Sequence, residues 1–180
     1  MHNNGDTLST VYYYYNNDNQ IDSVISDKSK TYHSYSSDNH SITKINSDNI
    51  KYYESITTYE NGFTTKFEEY YYNEDSELYK SFIESKEYDG NKKLIKITLE
   101  QFDLYSNSSH YDEIRTSYDS FGRKARSDSY YANHNLLRYQ EYIYDGDNLV
   151  KIQSYDSGGN KTGYTRIENT CIKNSLPAIR

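Results

Sequence analysis

A tyrosine followed at once by an Asp, Asn and Gly turn cluster recurs along this chain, and that recurrence limits the fold more than any other feature. Tyr144-Asp-Gly-Asp-Asn-Leu149 is the clearest unit, and Tyr118-Asp-Ser-Phe-Gly122-Arg-Lys follows the same plan. So do the segments starting at Tyr88, Tyr155 and Tyr15, with weaker copies from Tyr35, Tyr59, Tyr72, Tyr105 and Tyr131. The anchors at Tyr105, Tyr118, Tyr131 and Tyr144 are 13 residues apart, and the step to Tyr155 is 11. The longer early steps each hold an extra turn cluster, at residues 26–30 and 46–49.

A turn of about five residues leaves about eight per unit, an ordinary strand length. Asp or Asn early in such a turn bonds backbone amides, and Gly or Asn later supplies positive φ. The Tyr before the turn can lie over the neighbouring strand and fix register. Alternation agrees: Ile95, Ile97 and Leu99 fall on one face and Lys96, Thr98 and Glu100 on the other. Phe63, Phe67 and Tyr71 are set likewise against Thr64, Lys66 and Glu68. The expectation is an all-β antiparallel meander of 12 or 13 strands, with little or no helix. Strand twist curls it into an open sheet, a half-barrel or a short spiral. Residues 1–10 read as an N-terminal extension, 11–168 as the repeat domain and 169–180 as a C-terminal cap or tail.

Leu, Ile, Val and Phe make up under a fifth of the 180 residues, a level that taken alone signals disorder. The net charge of −7 is modest for that class, and 24 tyrosines offer large rings with polar tips. A thin, partly wet tyrosine core is therefore expected. Cys171 is the only cysteine, which excludes an intramolecular disulfide and a cysteine metal cluster. No apolar run has the length of a membrane span, and the first residues do not read as a signal peptide. The acidic balance argues against nucleic acid and permits a basic protein partner.

The units resemble YD repeats, the Tyr-Asp-x-x-Gly-x-Leu units of the Rhs and teneurin families. Tyr118-Asp119 with Gly122 is the nearest match, then Tyr144-Asp145 with Leu149. Intact Tyr-Asp pairs stand at 88, 111, 118, 144 and 155, and the likeness runs from about residue 11 to 168. In that family the repeats form sheet that spirals into a shell around a toxin or other cargo. A dozen strands are too few to enclose a protein, and this chain carries neither a self-cleavage segment of the Rhs kind nor a toxin domain. The resemblance thus implies the strand–turn unit rather than encapsulation. The units are similar also to modules of bacterial surface lipoproteins, and more loosely to Tyr-rich MORN-type repeats, some in proteins resembling antitoxins.

The chemistry-bearing residues point away from catalysis. His33, His40, His110 and His134 show no helix-face metal spacing, and His40, His110 and His134 fall in expected turns. The oxygen-rich run at residues 16–22 lacks the glycine and closing Glu of a calcium loop, and Asx turns account for it. There is no Gly-x-Ser-x-Gly elbow, and neighbours such as Glu68 and Glu69 point to opposite faces of a strand. No catalytic residue, cofactor or metal is expected.

What remains is a tyrosine surface. Tyr12, Tyr13, Tyr14 and Tyr15 form one run and Tyr70, Tyr71 and Tyr72 another, so each places rings on both sheet faces. Packing explains such rings, and so does recognition, since Tyr is favoured at interfaces. The expected function is a non-catalytic binding or scaffold module, bacterial and at the cell surface. The alternative is a small acidic, cytoplasmic immunity protein that covers a basic toxin. Partners in view are such a toxin, an envelope protein, a polysaccharide, or a second copy through open sheet edges.

Overall fold

The computed structural model describes residues 10–167, and every regular element in them is a strand. They are β1 (Val11–Tyr15), β2 (Ile21–Ser26), β3 (Ser29–Tyr35), β4 (Asn39–Asn46), β5 (Lys51–Glu60), β6 (Phe63–Tyr72) and β7 (Leu78–Tyr88). Then follow β8 (Leu94–Asp103), β9 (Ser108–Tyr118), β10 (Lys124–Tyr130), β11 (Leu136–Asp145), β12 (Asn148–Asp156) and β13 (Lys161–Arg166). They succeed one another in chain order as an antiparallel meander that does not close into a barrel. The fold class and the strand number agree with the turn spacing. The chain divides into an N-terminal unit, Met1–Glu113, and a C-terminal unit, Ile114–Arg180. The expected cap at 169–180 and nearly all of the expected extension lie outside the described residues.

Seven hairpins share one turn, and its geometry explains each position of the sequence unit. It opens at Asn16, Asn46, Asn73, Asp89, Asp119, Tyr131 and Asp156. The opening residue's N–H donates to the carbonyl four residues on, and its own carbonyl accepts from the N–H three residues on. In the first five copies the Asx Oδ1 also accepts from the amides two and four residues on; at Asp89 these are Asn91 and Lys93, both at 2.9 Å. The fourth residue is left-handed in every copy: Asn19, Asn49, Ser76, Lys92, Gly122, His134 and Gly159. Only Gly and Asn adopt that conformation cheaply, so Ser76, Lys92 and His134 carry strain. Tyr131 offers no side-chain acceptor in the Asx place; there Asn133 Oδ1 takes the Asn135 amide instead.

The residue before the turn sits at a bulge. Register shifts fall just ahead of Tyr15, Ile45, Tyr72, Tyr88, Tyr130 and Tyr155. The bulge turns the strand and frees the ring to reach sideways. Tyr88 Oη donates to the Thr64 carbonyl of β6, and Tyr144 Oη to the Lys124 carbonyl of β10, each at 3.0 Å. These are the register-fixing contacts expected of the anchors. Three of the copies read from the sequence differ. Tyr144-Asp145, the clearest by eye, leads into a turn at Gly146-Asp147 with Asp145 still paired to Asn148. Tyr105 is no strand anchor but lies inside the β8–β9 turn, and Tyr130 rather than Tyr131 precedes the turn at 131.

The expected thin tyrosine core is absent. Among the described residues no apolar side chain is buried, and the buried ones are Ser23, Ser55, Glu113, Ser127 and Gln153. The reason is that strands touch only their chain neighbours, so within each unit no second layer covers the sheet. Small residues at strand centres disappear beneath long neighbours. Ser23, for example, lies between Tyr14 and Tyr32 across its two strand pairs. The rings shield one another and the backbone, and each remains partly in water.

Candidate binding surface

The two tyrosine runs share a sequence type and little else. Tyr12, Tyr13, Tyr14 and Tyr15 line β1, which among the described residues pairs only with β2, and all four are 49–61% exposed. Tyr70, Tyr71 and Tyr72 lie in β6, paired on both sides by β5 and β7, and all are half-buried. Four strands separate the runs, so the structure does not bring them together.

Around β6 the rings belong to a lattice of phenols, carboxylates and ammonium groups. On one face Tyr53 Oη donates to Glu69 Oε1 at 2.7 Å, and Tyr71 Oη to Glu69 Oε2 at 3.4 Å. Lys44 Nζ lies 4.4 Å from the Tyr53 ring centre, and Lys80 Nζ 6.0 Å from that of Tyr71. On the other face Tyr70 Oη donates to Glu68 Oε1 at 2.7 Å, and Lys66 Nζ sits 2.8 Å from the same oxygen. Tyr72 Oη donates to Glu54 Oε2 at 3.0 Å, and Lys51 joins both, 3.2 Å from Glu54 and 4.2 Å from the Tyr72 ring centre. The hydrogen bond to Glu68, reinforced by burial, pushes the Tyr70 phenol up to about 12. Burial and then the Glu69 carboxylate raise Tyr71. Burial alone would raise Glu68, yet bonds from Lys66 and Tyr70 hold it below the usual carboxylate value.

The C-terminal unit follows the same rule with arginine. Arg126 lies 3.8 Å from the Tyr139 ring centre and pairs with Asp128 at 2.7 Å, while Tyr139 stacks on Tyr155 with centres 4.6 Å apart. Arg123 lies 4.3 Å from the Tyr144 ring centre. A tyrosine bearing its own cation is thus the common arrangement in both units.

Sequence reasoning missed one cluster. At the end of the N-terminal unit where the β4–β5, β6–β7 and β8–β9 turns lie, an open groove of about 470 Å³ is lined by Tyr52, Tyr72, Tyr79, Tyr105, Glu74 and Asp75, among others. Tyr105 is 74% exposed, with its ring centre 4.8 Å from that of Tyr79, which in turn lies 6.4 Å from Tyr71. The signal was present in the sequence: Asp103 opens an Asx turn through Oδ1 to the Tyr105 and Ser106 amides, which lifts Tyr105 out of a strand. The histidines also depart from expectation. His40 and His110 are in strands β4 and β9, and only His134 is in a turn. His33 Nδ1 lies 3.2 Å from His40 Nε2, and His40 stacks on Tyr35 with centres 4.4 Å apart. Burial, then the neighbouring His40, lowers the His33 pKa.

Among the described residues no cluster of three or more His, Cys, Asp or Glu could hold a metal ion, and no helix is long and apolar enough to cross a membrane. No family model matches the chain, and comparison with curated proteins finds no match.

Proposed function

We propose that this chain is a non-catalytic binding or scaffold module of YD-repeat type, bacterial and surface-associated, acting on a protein partner through its tyrosines. The observation that carries the reading is the seven-fold turn. A left-handed residue stands three places after the Asx or its substitute in every copy, and a tyrosine stands before six of the seven. That is the spacing Tyr-Asp-x-x-Gly-x-Leu requires. Such a meander invests nearly all of its aromatic side chains in two open faces, which suits broad contact better than enclosure of a small substrate. Within the exposed set, Tyr12 to Tyr15 remain the proposed surface. Tyr70, Tyr71 and Tyr72 are separated from it by four strands and serve as framework of the sheet.

A second reading, an acidic immunity protein covering a basic toxin, is favoured by the net charge of −7 and by Glu74 and Asp75 in the aromatic groove. Quantitative capture from bacterial lysate and envelope fractions at low and high salt tests both. Proteins or glycans held by the native chain and released by the Tyr13→Ser, Tyr15→Ser variant support a tyrosine binding module. One small basic protein, salt-sensitive and held in a one-to-one complex, favours the immunity reading. Retention that ignores the exposed tyrosines throughout overturns the proposal.

A further inference from the structure

We infer that the groove at the turn end of the N-terminal unit takes an arginine or lysine side chain from a basic protein partner. This deepens the binding-module reading and rests on it. The argument comes from the molecule's own habits. In the N-terminal unit the rings of Tyr53, Tyr71 and Tyr72 carry Lys44, Lys80 and Lys51, of which Lys51 meets a carboxylate as well, and Lys66 meets the carboxylate that binds the Tyr70 hydroxyl. Ring, carboxylate and cation form one repeated set. The groove holds two members of that set, and the third is present at one lining ring only, Tyr72, which carries Lys51. Tyr52, Tyr79 and Tyr105 carry no cation from any described residue, no lysine or arginine lines the groove, and Glu74 and Asp75 make no ion pair among the described residues.

Three features make this a recess rather than scattered surface. Tyr105 and Tyr79 are held ring against ring at 4.8 Å, leaving the exposed face of Tyr105 fixed in solvent. The β6–β7 turn that presents Glu74 and Asp75 is pinned by Asn73 Oδ1, which accepts from the Asp75 and Glu77 amides at 3.0 and 2.9 Å. The volume, about 470 Å³, exceeds that of one long side chain and leaves the mouth open to a chain passing over it. A flat guanidinium can stack on one ring while it bonds a carboxylate, which is the geometry found intramolecularly at Arg126, Tyr139 and Asp128. Neutral saccharides also stack on tyrosine, but they leave two carboxylates without a counter-charge.

The test is calorimetric titration of the full chain with hexa-arginine peptide at low and physiological salt. Maltohexaose serves as the neutral probe. Three variants decide it: Tyr105→Ala, the double Glu74→Gln, Asp75→Asn, and a charge-matched double at the opposite end of the unit, Asp18→Asn, Asp38→Asn. The first two weaken hexa-arginine about threefold or more, as expected for loss of an exposed cation–π contact or ion pair. The third changes it less than about twofold, because salt screens distant charge. Equal weakening by both charge variants makes the binding diffuse attraction and overturns the site. So does no binding at low salt, or binding of maltohexaose that Tyr105→Ala abolishes while hexa-arginine is unaffected. None of these results bears on capture through Tyr13 and Tyr15, so failure of the groove and failure of the module reading are separable.

Discussion

β1 and β6 both end in a run of tyrosines before an Asn turn, and they meet opposite fates. In β1 the four rings stand 49–61% exposed with one described neighbour strand. In β6 the three rings are half-buried, and each hydroxyl reaches a glutamate. The difference is position in the sheet. An interior strand has a neighbour on each side whose side chains can lie across its rings, as Tyr53 and Lys80 flank Tyr71. A strand paired on one side loses half of that cover, and a meander with no second layer supplies nothing else. Here position in the sheet, rather than residue type, sorts tyrosines into half-buried framework and exposed surface.

Substitutions break the comparison most strongly in β6. Tyr71→Ala removes a ring that touches Tyr53, Tyr79 and Lys80 and is expected to destabilise the chain by about 2 kcal/mol, less than the loss of a fully buried aromatic. Tyr13→Ala in β1 is expected to change the unfolding free energy by under about 0.5 kcal/mol when both variants are unfolded in urea. Equal effects would mean that the two strands are equally supported. Next comes the interior turn. Asp89→Ala deletes the Oδ1 that accepts from two backbone amides at 2.9 Å and is expected to destabilise by about 1–2 kcal/mol in the same assay.

Alkali sharpens the contrast. The Tyr70 phenol is raised from 10.0 to about 12 by its bond to Glu68. A raised folded-state value means that this bond contributes fully below pH 10.0 and is lost as pH rises through about 12. Absorbance titration of phenolate should show a late step near 12 that Tyr70→Phe removes. Its persistence in that variant would assign the step elsewhere. The smallest expected effect is a gain. Ser76→Gly relieves a left-handed serine at φ 63° and is expected to stabilise by about 0.5 kcal/mol, after the extra freedom glycine gives the unfolded chain. A loss would show that the Ser76 backbone is not strained.

The meander was legible because its punctuation is local. An Asx side chain and a left-handed residue three positions on act within five residues, so their spacing survives in the sequence at Tyr15, Tyr88, Tyr118 and Tyr155. What depends on neighbours was not legible. Tyr144-Asp145-Gly146 reads as the best copy, yet pairing of Asp145 with Asn148 shortens its turn. Tyr105 sits at the right interval for an anchor, but Asp103 captures the turn first. The absence of a core was hidden too, since a count of rings does not say whether a second layer will cover them. The β6 run looked like surface because Glu54 and Lys51, which hold Tyr72, are distant in sequence, although Glu68 and Glu69, which hold Tyr70 and Tyr71, lie two residues away. Asp103 signalled the turn that lifts Tyr105, but the groove as a whole was not legible because it joins three turns.

The most direct measurement is residue-resolved nitration of the native chain by tetranitromethane at mildly alkaline pH, followed by peptide mass spectrometry. The reagent attacks accessible phenolate, so burial and a hydroxyl held by a carboxylate both slow it. Position in the sheet predicts early modification of Tyr12, Tyr13, Tyr14, Tyr15 and Tyr105, and late modification of Tyr70, Tyr71 and Tyr72. Nitration of Tyr70, Tyr71 and Tyr72 at the same rate as the β1 run would contradict it, and would return the β6 tyrosines to the exposed surface.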